Sequence, residues 1–490
     1  MVRLFKVSIP TSVLTLLVSE ILLLFCCYLV AAAWALDYPF EVFLLYDGGL
    51  WNIGLVVATV VLGLYFSDLY EDYRIRSRML LVQQTSVLLG VAFVLQAALS
   101  YARSNLLLNK WVMVEGSALV LVTLPVWRIC FTRFVAKALG SKRLLFLGTS
   151  VAVQEIVAQI AEKPELGLNA IGYLVAPDDY SETMSLEAGV ADGYSGSYGG
   201  TVAPVAAPSE ITAAPALGSL DDLDAVIAAQ RPDRIVVGLT ERRRRLPVKR
   251  LLHLRFSGIH IEDAAVTYER VFRRISTRDL RPSQLIFSTE LGPRPNSMAL
   301  QSVYSWILGG ILLVIALPVM AVVAVLVRIS SPGPSLFRQT RVGLNGKTFS
   351  LWKFRSMYQD AEARTGAVWA TRDDPRITPL GKWLRRLRLD ELPQLFNVVR
   401  GEMSLVGPRP ERPEFVEILQ EKIPYYSQRH CVKPGITGWA QINHKYGDTI
   451  EDSLIKFEFD LYYIKNLAVS LDLYIIFHTA KTMLLGRGAQ

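Results

Sequence analysis

Five apolar stretches, at about 10–36, 50–66, 79–99, 111–134 and 302–327, decide most of what this chain can become. Each is close to or above the roughly 20 residues an α-helix needs to cross a bilayer. A soluble fold would have to bury all five. The composition, 51% hydrophobic with mean hydropathy +0.31, is too apolar for that. The chain therefore reads as a membrane protein. Its first stretch is too long for a cleaved leader and is followed by further ones. Glu20 lies inside that stretch, where a charge is costly in lipid, so it is expected to face other helices.

Lys and Arg orient the first four stretches. Arg3 and Lys6 precede the first, and Arg74, Arg76 and Arg78 separate the second from the third. Arg128, Arg133, Lys137, Lys142 and Arg143 collect at the end of the fourth. The 37–49 loop has no Lys or Arg, and the next outer loop has only Arg103 and Lys110. Residues 1–138 are thus expected to form a four-helix transmembrane bundle with both ends in the cytoplasm.

From Lys142 onward, strand-like runs alternate with helical ones: 143–147, 170–175, 233–238 and 259–262, with helices near 151–163 and 248–256. This pattern predicts a Rossmann-like parallel α/β domain over 139–297. The Gly, Ala, Ser and Pro-rich residues 177–218 read as a flexible insertion. The first strand ends in Gly148-Thr149-Ser150-Val151-Ala152-Val153, which lacks the later glycines that let a backbone approach a pyrophosphate. The run Arg242 to Arg245 reads as a solvated or headgroup-facing loop.

The fifth stretch, 302–327, contains Gly309, Gly310 and Pro318 and is followed by Arg328, Arg338, Arg341 and Lys347. A crossing would put this cationic region outside, against the charge rule. A helix that enters the membrane, bends at Pro318 and returns to the same side fits better. Residues 298–490 then form an α+β catalytic domain carried by this re-entrant helix. Its centre of interest is 380–411, where Asp390 and Glu391 follow Arg385, Arg386 and Arg388, and Arg409 stands between Pro408 and Pro410. Guanidiniums pair bidentately with phosphate oxygens, and an Asp can attack phosphorus or hold a divalent cation. Asp before Glu, Leu and Pro is also a common helix start, in which the Asp merely caps.

Six motifs occur in order: Gln339 to Phe349, Lys353-Phe354-Arg355, Asp373 to Thr378, Asp390-Glu391, Gly407 to Pro410, and Pro434 to Gln441. This series resembles the bacterial sugar transferases, the monotopic polyprenyl-phosphate phosphoglycosyl transferases, over roughly 302–490. The resemblance implies transfer of a hexose 1-phosphate, most directly glucose, from a UDP-sugar to undecaprenyl phosphate, which starts an exopolysaccharide or capsule repeat unit. It implies Asp390 as nucleophile, Glu391 as Mg²⁺ ligand, and Arg385, Arg409, Lys353 and Arg355 as phosphate contacts. It also implies a bacterial inner (plasma) membrane location, with the catalytic domain in the cytoplasm among membrane lipids. One departure is Leu317, where the family usually has Ser before the helix proline. Arg386, Arg388 and Arg400 read as headgroup-facing, and the aromatic run 457–463 as membrane-interfacial packing.

Other classes fit less well. UDP-galactose or a UDP-N-acetylhexosamine would serve the same chemistry. An NAD-dependent sugar-nucleotide dehydratase lacks its glycine fingerprint and a Tyr-x-x-x-Lys motif in the α/β domain. A non-catalytic assembly protein would not need the Asp-Glu pair with its arginines. Nucleic acid is not expected as a partner, since no recognition motif accompanies the net charge of +8. Four scattered cysteines and five histidines offer neither a disulfide framework nor a metal spacing. The sequence leaves a homo-oligomer open.

Overall fold

The computed structural model describes residues 2–70, 78–102, 108–135, 140–175, 213–239, 246–277, 292, 294–359, 361, 374–444 and 449–485. The Arg242–Arg245 run, Arg74, Arg76, Arg103, Lys137 and most of the expected insertion lie outside them.

A short hairpin, β1 (Val2–Leu4) and β2 (Val7–Ile9), opens the chain. Then come α1 (Thr11–Ala35), α2 (Phe40–Leu45), α3 (Gly49–Phe66), α4 (Arg78–Ala102) and α5 (Lys110–Cys130). Helices α1, α3, α4 and α5 pack together around Leu16, Leu24, Val56, Val60, Leu88 and Val120. Glu20 is fully buried, as expected, and Arg128 clasps it with two guanidinium nitrogens at 2.6 and 3.0 Å. The Tyr70 hydroxyl donates to the same carboxylate at 2.6 Å. Arg128 was expected among the loop charges. It is instead a buried partner, and two residues that are each costly in lipid neutralise one another.

Next is a five-stranded parallel sheet of β3 (Lys142–Leu147), β4 (Leu168–Val175), β5 (Ala216–Ser219), β6 (Arg234–Val237) and β7 (His260–Asp263), in the order β5-β4-β3-β6-β7. Helices α6 (Val151–Glu162), α7 (Leu223–Gln230), α8 (Val248–Phe256) and α9 (Ala264–Phe272) cover it. Side chains alternate across a strand. Leu144 and Phe146 accordingly meet α6 and α9, while Leu145 and Leu147 meet α7 and α8. Strand β5 pairs with β4, so residues 216–218 belong to the sheet and not to an insertion.

In such a sheet a ligand would lie where the strand order reverses, beyond the ends of β3 and β6. There the loops after β3 and β6 lie close together. Ser150 N–H donates to the Gly238 carbonyl at 3.3 Å, and a Cβ on Gly148 would sit 2.7 Å from that oxygen.

Helix α10 (Pro295–Ser330) runs through 36 residues with Pro318 inside it, roughly 54 Å at 1.5 Å per residue. With α1, α3, α4 and α5 it makes five helices, among the described residues, long and apolar enough to cross a membrane. Its buried positions come in two groups, Gln301, Ser305 and Gly309, then Met320, Val323 and Val327. The first group packs toward β10 (Ser404–Val406) and the second toward Phe354 and Leu384. Around these lie the hairpin β8 (Leu336–Val342) and β9 (Thr348–Phe354), then α11 (Pro379–Arg386), α12 (Gln394–Val399), α13 (Pro413–Lys422), β11 (Gly435–Thr437), α14 (Trp439–Asn443), α15 (Ile450–Asn466) and α16 (Val469–Leu484).

The aromatic run in α15 is not interfacial. Phe457, Tyr462 and Tyr463 are at most 2% exposed and form the centre of this region's core. Val7 from the hairpin and Ile275 from beyond α9 join the same core.

Candidate active site

The chain leaves α11 through Arg388, whose φ of 53° lies in the left-handed region. This reversal starts a single 3₁₀ turn, Leu389–Glu391, that carries both carboxylates. Helix α12 begins only at Gln394, and no side chain caps it. Asp390 is therefore not a helix cap, and the bland reading of that tetrapeptide is not realised.

Glu391 is enclosed by cations. Arg409 lies 2.9 Å from Oε1, Lys353 3.2 Å from the same oxygen, and Arg388 3.7 Å from Oε2. Burial pushes the Glu391 carboxyl up, but Arg409, Lys353 and Arg388 outweigh it and hold the group well below the usual carboxylate range. Asp390 is equally buried, and none of the described ion pairs ends on it. Burial raises its carboxyl above the ordinary aspartate value, against the pull of Lys353, and the charge on Glu391 adds to the rise. Two adjacent carboxylates are thus pushed in opposite directions, a pattern that separates roles at reactive sites. Burial also lowers the Lys353 ammonium, opposed by Glu391.

Each cation is supplied by a different element. Lys353 is the next-to-last residue of strand β9, and Asn397 ties that strand to α12. Its side chain accepts from Trp352 N–H at 3.2 Å and donates to the Ser350 carbonyl at 2.8 Å. Arg385, on the last turn of α11, donates to Ser356 Oγ at 2.9 Å and lies close enough to lower Asp390. The start of α11 is fixed by Thr378, whose hydroxyl accepts from Gly381 N–H at 2.9 Å, and Asp374 pairs with Arg376 just before it. Arg409 stands in the turn between β10 and α13. That turn lies against the parallel pair β10–β11 so tightly that a Cβ on Gly407 would be 2.4 Å from the Lys433 carbonyl.

Four of the residues singled out from sequence, Lys353, Asp390, Glu391 and Arg409, come together here, with Arg385 beside them. Arg355 does not join them. Its guanidinium is buried at the end of α10, donating to the carbonyls of Pro332 at 2.6 Å, Ser331 at 2.7 Å and Val327 at 3.3 Å. It closes off the helix carbonyls there, a structural use in place of the expected phosphate contact. Arg388, expected at headgroups, belongs to the site. Arg386 and Arg400 are exposed and lie over Trp383 and Trp352, at 5.7 and 5.2 Å from the ring centroids. Asn397, Arg429 and Asp460 escaped the sequence reading. The one available signal was a pair of carboxylates, Glu458 and Asp460, inside an aromatic run, where charge implies a buried partner.

Comparison with known proteins places the chain in a family. The sequence profile described as bacterial sugar transferase matches residues 296–486. The UDP-N-acetylgalactosamine-undecaprenyl-phosphate N-acetylgalactosaminephosphotransferase of Aeromonas hydrophila is 50% identical over 173 residues, 35% of this chain and 41% of that protein. The UDP-glucose:undecaprenyl-phosphate glucose-1-phosphate transferase of Escherichia coli is 48% identical over 175 residues, 35% of this chain and 38% of its own length. These matches thus span well under half of either relative. The enzyme of the same description from Klebsiella pneumoniae is 33% identical over 360 residues, 73% of this chain and 71% of that protein. With most of both chains aligned in that last comparison, the protein belongs to the bacterial sugar transferase family.

Proposed function

We propose that this membrane protein transfers a hexose 1-phosphate from a UDP-sugar to undecaprenyl phosphate through a covalent phosphosugar on Asp390. The observation that carries the reading is the contrast within the carboxylate pair. Glu391 is neutralised by three cations, while Asp390 is buried near Lys353, Arg385 and Arg409 with no ion pair among the described residues. Its charged form is therefore poorly solvated and available to attack.

An Asp390 oxygen bonds to the sugar-bearing phosphorus. The bond from that phosphorus to the bridging oxygen breaks, and UMP leaves with the electron pair. An oxygen of undecaprenyl phosphate then attacks the same phosphorus. The bond to Asp390 breaks, and the carboxylate is regenerated as the lipid diphosphate sugar forms. Arg409, Arg385 and Lys353 bind and orient phosphate oxygens through both steps. A covalent intermediate lets one site take a soluble and a lipid phosphate in turn.

Mg²⁺ fits this donor set. It is ordinarily held by one or two carboxylates together with substrate phosphates. Glu391 Oε2, 3.7 Å from Arg388, has more room than Oε1, which Lys353 and Arg409 occupy. Among the described residues no group of three or more His, Cys, Asp or Glu comes together, so phosphates and water would complete the shell. When bound, the ion would offset diphosphate charge and stabilise the departing UMP.

The sugar is read as glucose, in line with the Klebsiella relative that aligns over most of the chain. The Aeromonas relative favours N-acetylgalactosamine as the second reading. A panel of radiolabelled UDP-glucose, UDP-galactose and UDP-N-acetylhexosamines with undecaprenyl phosphate separates them. Label should enter the lipid from UDP-glucose with release of UMP. Label from none of them would overturn the reaction class.

In the cell we place the protein in the bacterial inner membrane, with a four-helix bundle formed by α1, α3, α4 and α5 and a re-entrant α10. Residues on both sides of α10 in the chain bond to one another. Thr277 N–H donates to Glu458 at 2.8 Å, Trp439 donates to the Arg273 carbonyl at 2.9 Å, and Lys465 pairs with Glu269 at 2.7 Å. A helix crossing the bilayer between them would separate these partners. Val314, Ile315, Leu317 and Val319, on either side of Pro318, are 45–68% exposed, as suits a lipid-facing side, while Met320 is buried against Phe354 and Leu384. A cysteine placed at exposed Lys347 should react in intact cells only with a membrane-permeant maleimide. Reaction with an impermeant one added outside would contradict the orientation.

A further inference from the structure

We propose that Arg429 and Asp460 are positioning residues for phosphate binding, acting through the main chain of Arg409. The inference rests on reading Arg409 as a phosphate contact and goes beyond it to what aims that side chain.

The turn that carries Arg409 cannot hold itself in place. Pro408 and Pro410 have no N–H to give, so the segment must be fixed largely through its carbonyl oxygens. Each of those oxygens has a donor from outside the turn. Gly435 N–H donates to Pro408 at 3.0 Å, and Arg341 donates to Pro410 at 2.9 Å. The carbonyl of Arg409 itself accepts from Arg429 Nη2 at 2.9 Å. This last bond lies closest along the chain to the guanidinium that pairs with Glu391.

Arg429 is 6% exposed, and Asp460, 2.8 Å from it on α15, is 1% exposed. The hydroxyl of Tyr426 takes a second guanidinium nitrogen. A buried ion pair is weak evidence of stability, because well-packed apolar residues often serve that purpose as well. What the arginine adds is direction. Its planar guanidinium gives one nitrogen to Tyr426 and sets Nη2 against the Arg409 carbonyl, with the Asp460 carboxylate balancing its charge at the same nitrogen, and a lysine cannot reproduce that fork. Neither residue takes part in the ion pairs described around Glu391, and their bonded route to the site runs through the Arg409 carbonyl.

A double-mutant cycle on the full-length protein in lipid nanodiscs, with UDP as the probe in calorimetric titrations, separates positioning from plain support. Arg409→Ala should weaken UDP binding about ten- to hundredfold, the range for a charge-assisted contact. Arg429→Lys and Asp460→Asn should each weaken it about three- to tenfold in the wild-type background, and less than about twofold once Arg409 is Ala. Equal losses in both backgrounds, or wild-type UDP binding by Arg429→Lys and Asp460→Asn, would overturn the inference. Should Asp460→Asn fail to accumulate, Arg429→Lys, which keeps the buried charge pair, carries the test. Wild-type affinity in Arg409→Ala would remove the phosphate assignment and the inference with it. UDP binding with an intact cycle, but no label transferred from any UDP-sugar, would remove only the proposed reaction.

Discussion

Asp390→Asn should abolish release of UMP from UDP-glucose, by at least about four orders of magnitude, because an amide is not a competent nucleophile. The loss should appear in the first half-reaction, before any undecaprenyl phosphate is added. Wild-type protein given the UDP-sugar alone should release UMP in an amount no greater than that of the protein, and retain the sugar phosphate. Mass spectrometry should place the adduct on Asp390. No helix is capped by this side chain, and none of the described ion pairs ends on it. Were UMP release to require undecaprenyl phosphate and no adduct be trapped, direct transfer in a ternary complex would be the better account, with Asp390 a base or metal ligand.

The elements most legible in the sequence are those with the strongest physical signal. The spans read at 10–36, 50–66 and 79–99 lie within a few residues of α1, α3 and α4, since a run of some 20 apolar residues admits few alternatives. The buried strands β3 and β6 were legible for a similar reason. The site was legible as a set of residue types but less so as geometry. Lys353 and Arg355 would share a face if β9 continued, but the strand ends at Phe354 and Arg355 turns away to the end of α10. Arg388 joins the site because a non-glycine residue adopts the left-handed conformation there, which no local pattern announces. Arg429 and Asp460 are 31 positions apart and meet only in the tertiary fold. Every group assigned to the reaction lies after residue 302, an assignment that left out Val7 and Ile275. These bring the N-terminal hairpin and the α/β unit into the same core.

The two carboxylates should also respond oppositely in stability. Charge on Glu391 is favoured by the fold, since its carboxyl is held well below the usual range once Arg409, Lys353 and Arg388 outweigh the cost of burial. Such a group contributes stability that is fully present above the pH where an unfolded glutamate ionises, and that is lost as pH falls through the lower folded value. At neutral pH the contribution is complete, so Glu391→Gln forfeits it and leaves three cations facing an amide. Removing one partner of a buried pair costs about 3–5 kcal/mol, so the melting temperature should drop by several degrees. UMP release should fall about a hundred- to a thousandfold as Arg409 and Lys353 lose their common anchor. Asp390 has the reverse sign. Its carboxyl is raised by burial, so its charge burdens the fold at neutral pH, and Asp390→Asn should melt at or above the wild-type temperature. Melting curves of the two variants at pH 7.5 in one detergent decide the matter. If both shift downward by the same amount, the charges of the pair are not set apart as the surrounding cations require, and the division of labour between attacking Asp390 and anchoring Glu391 loses its physical basis.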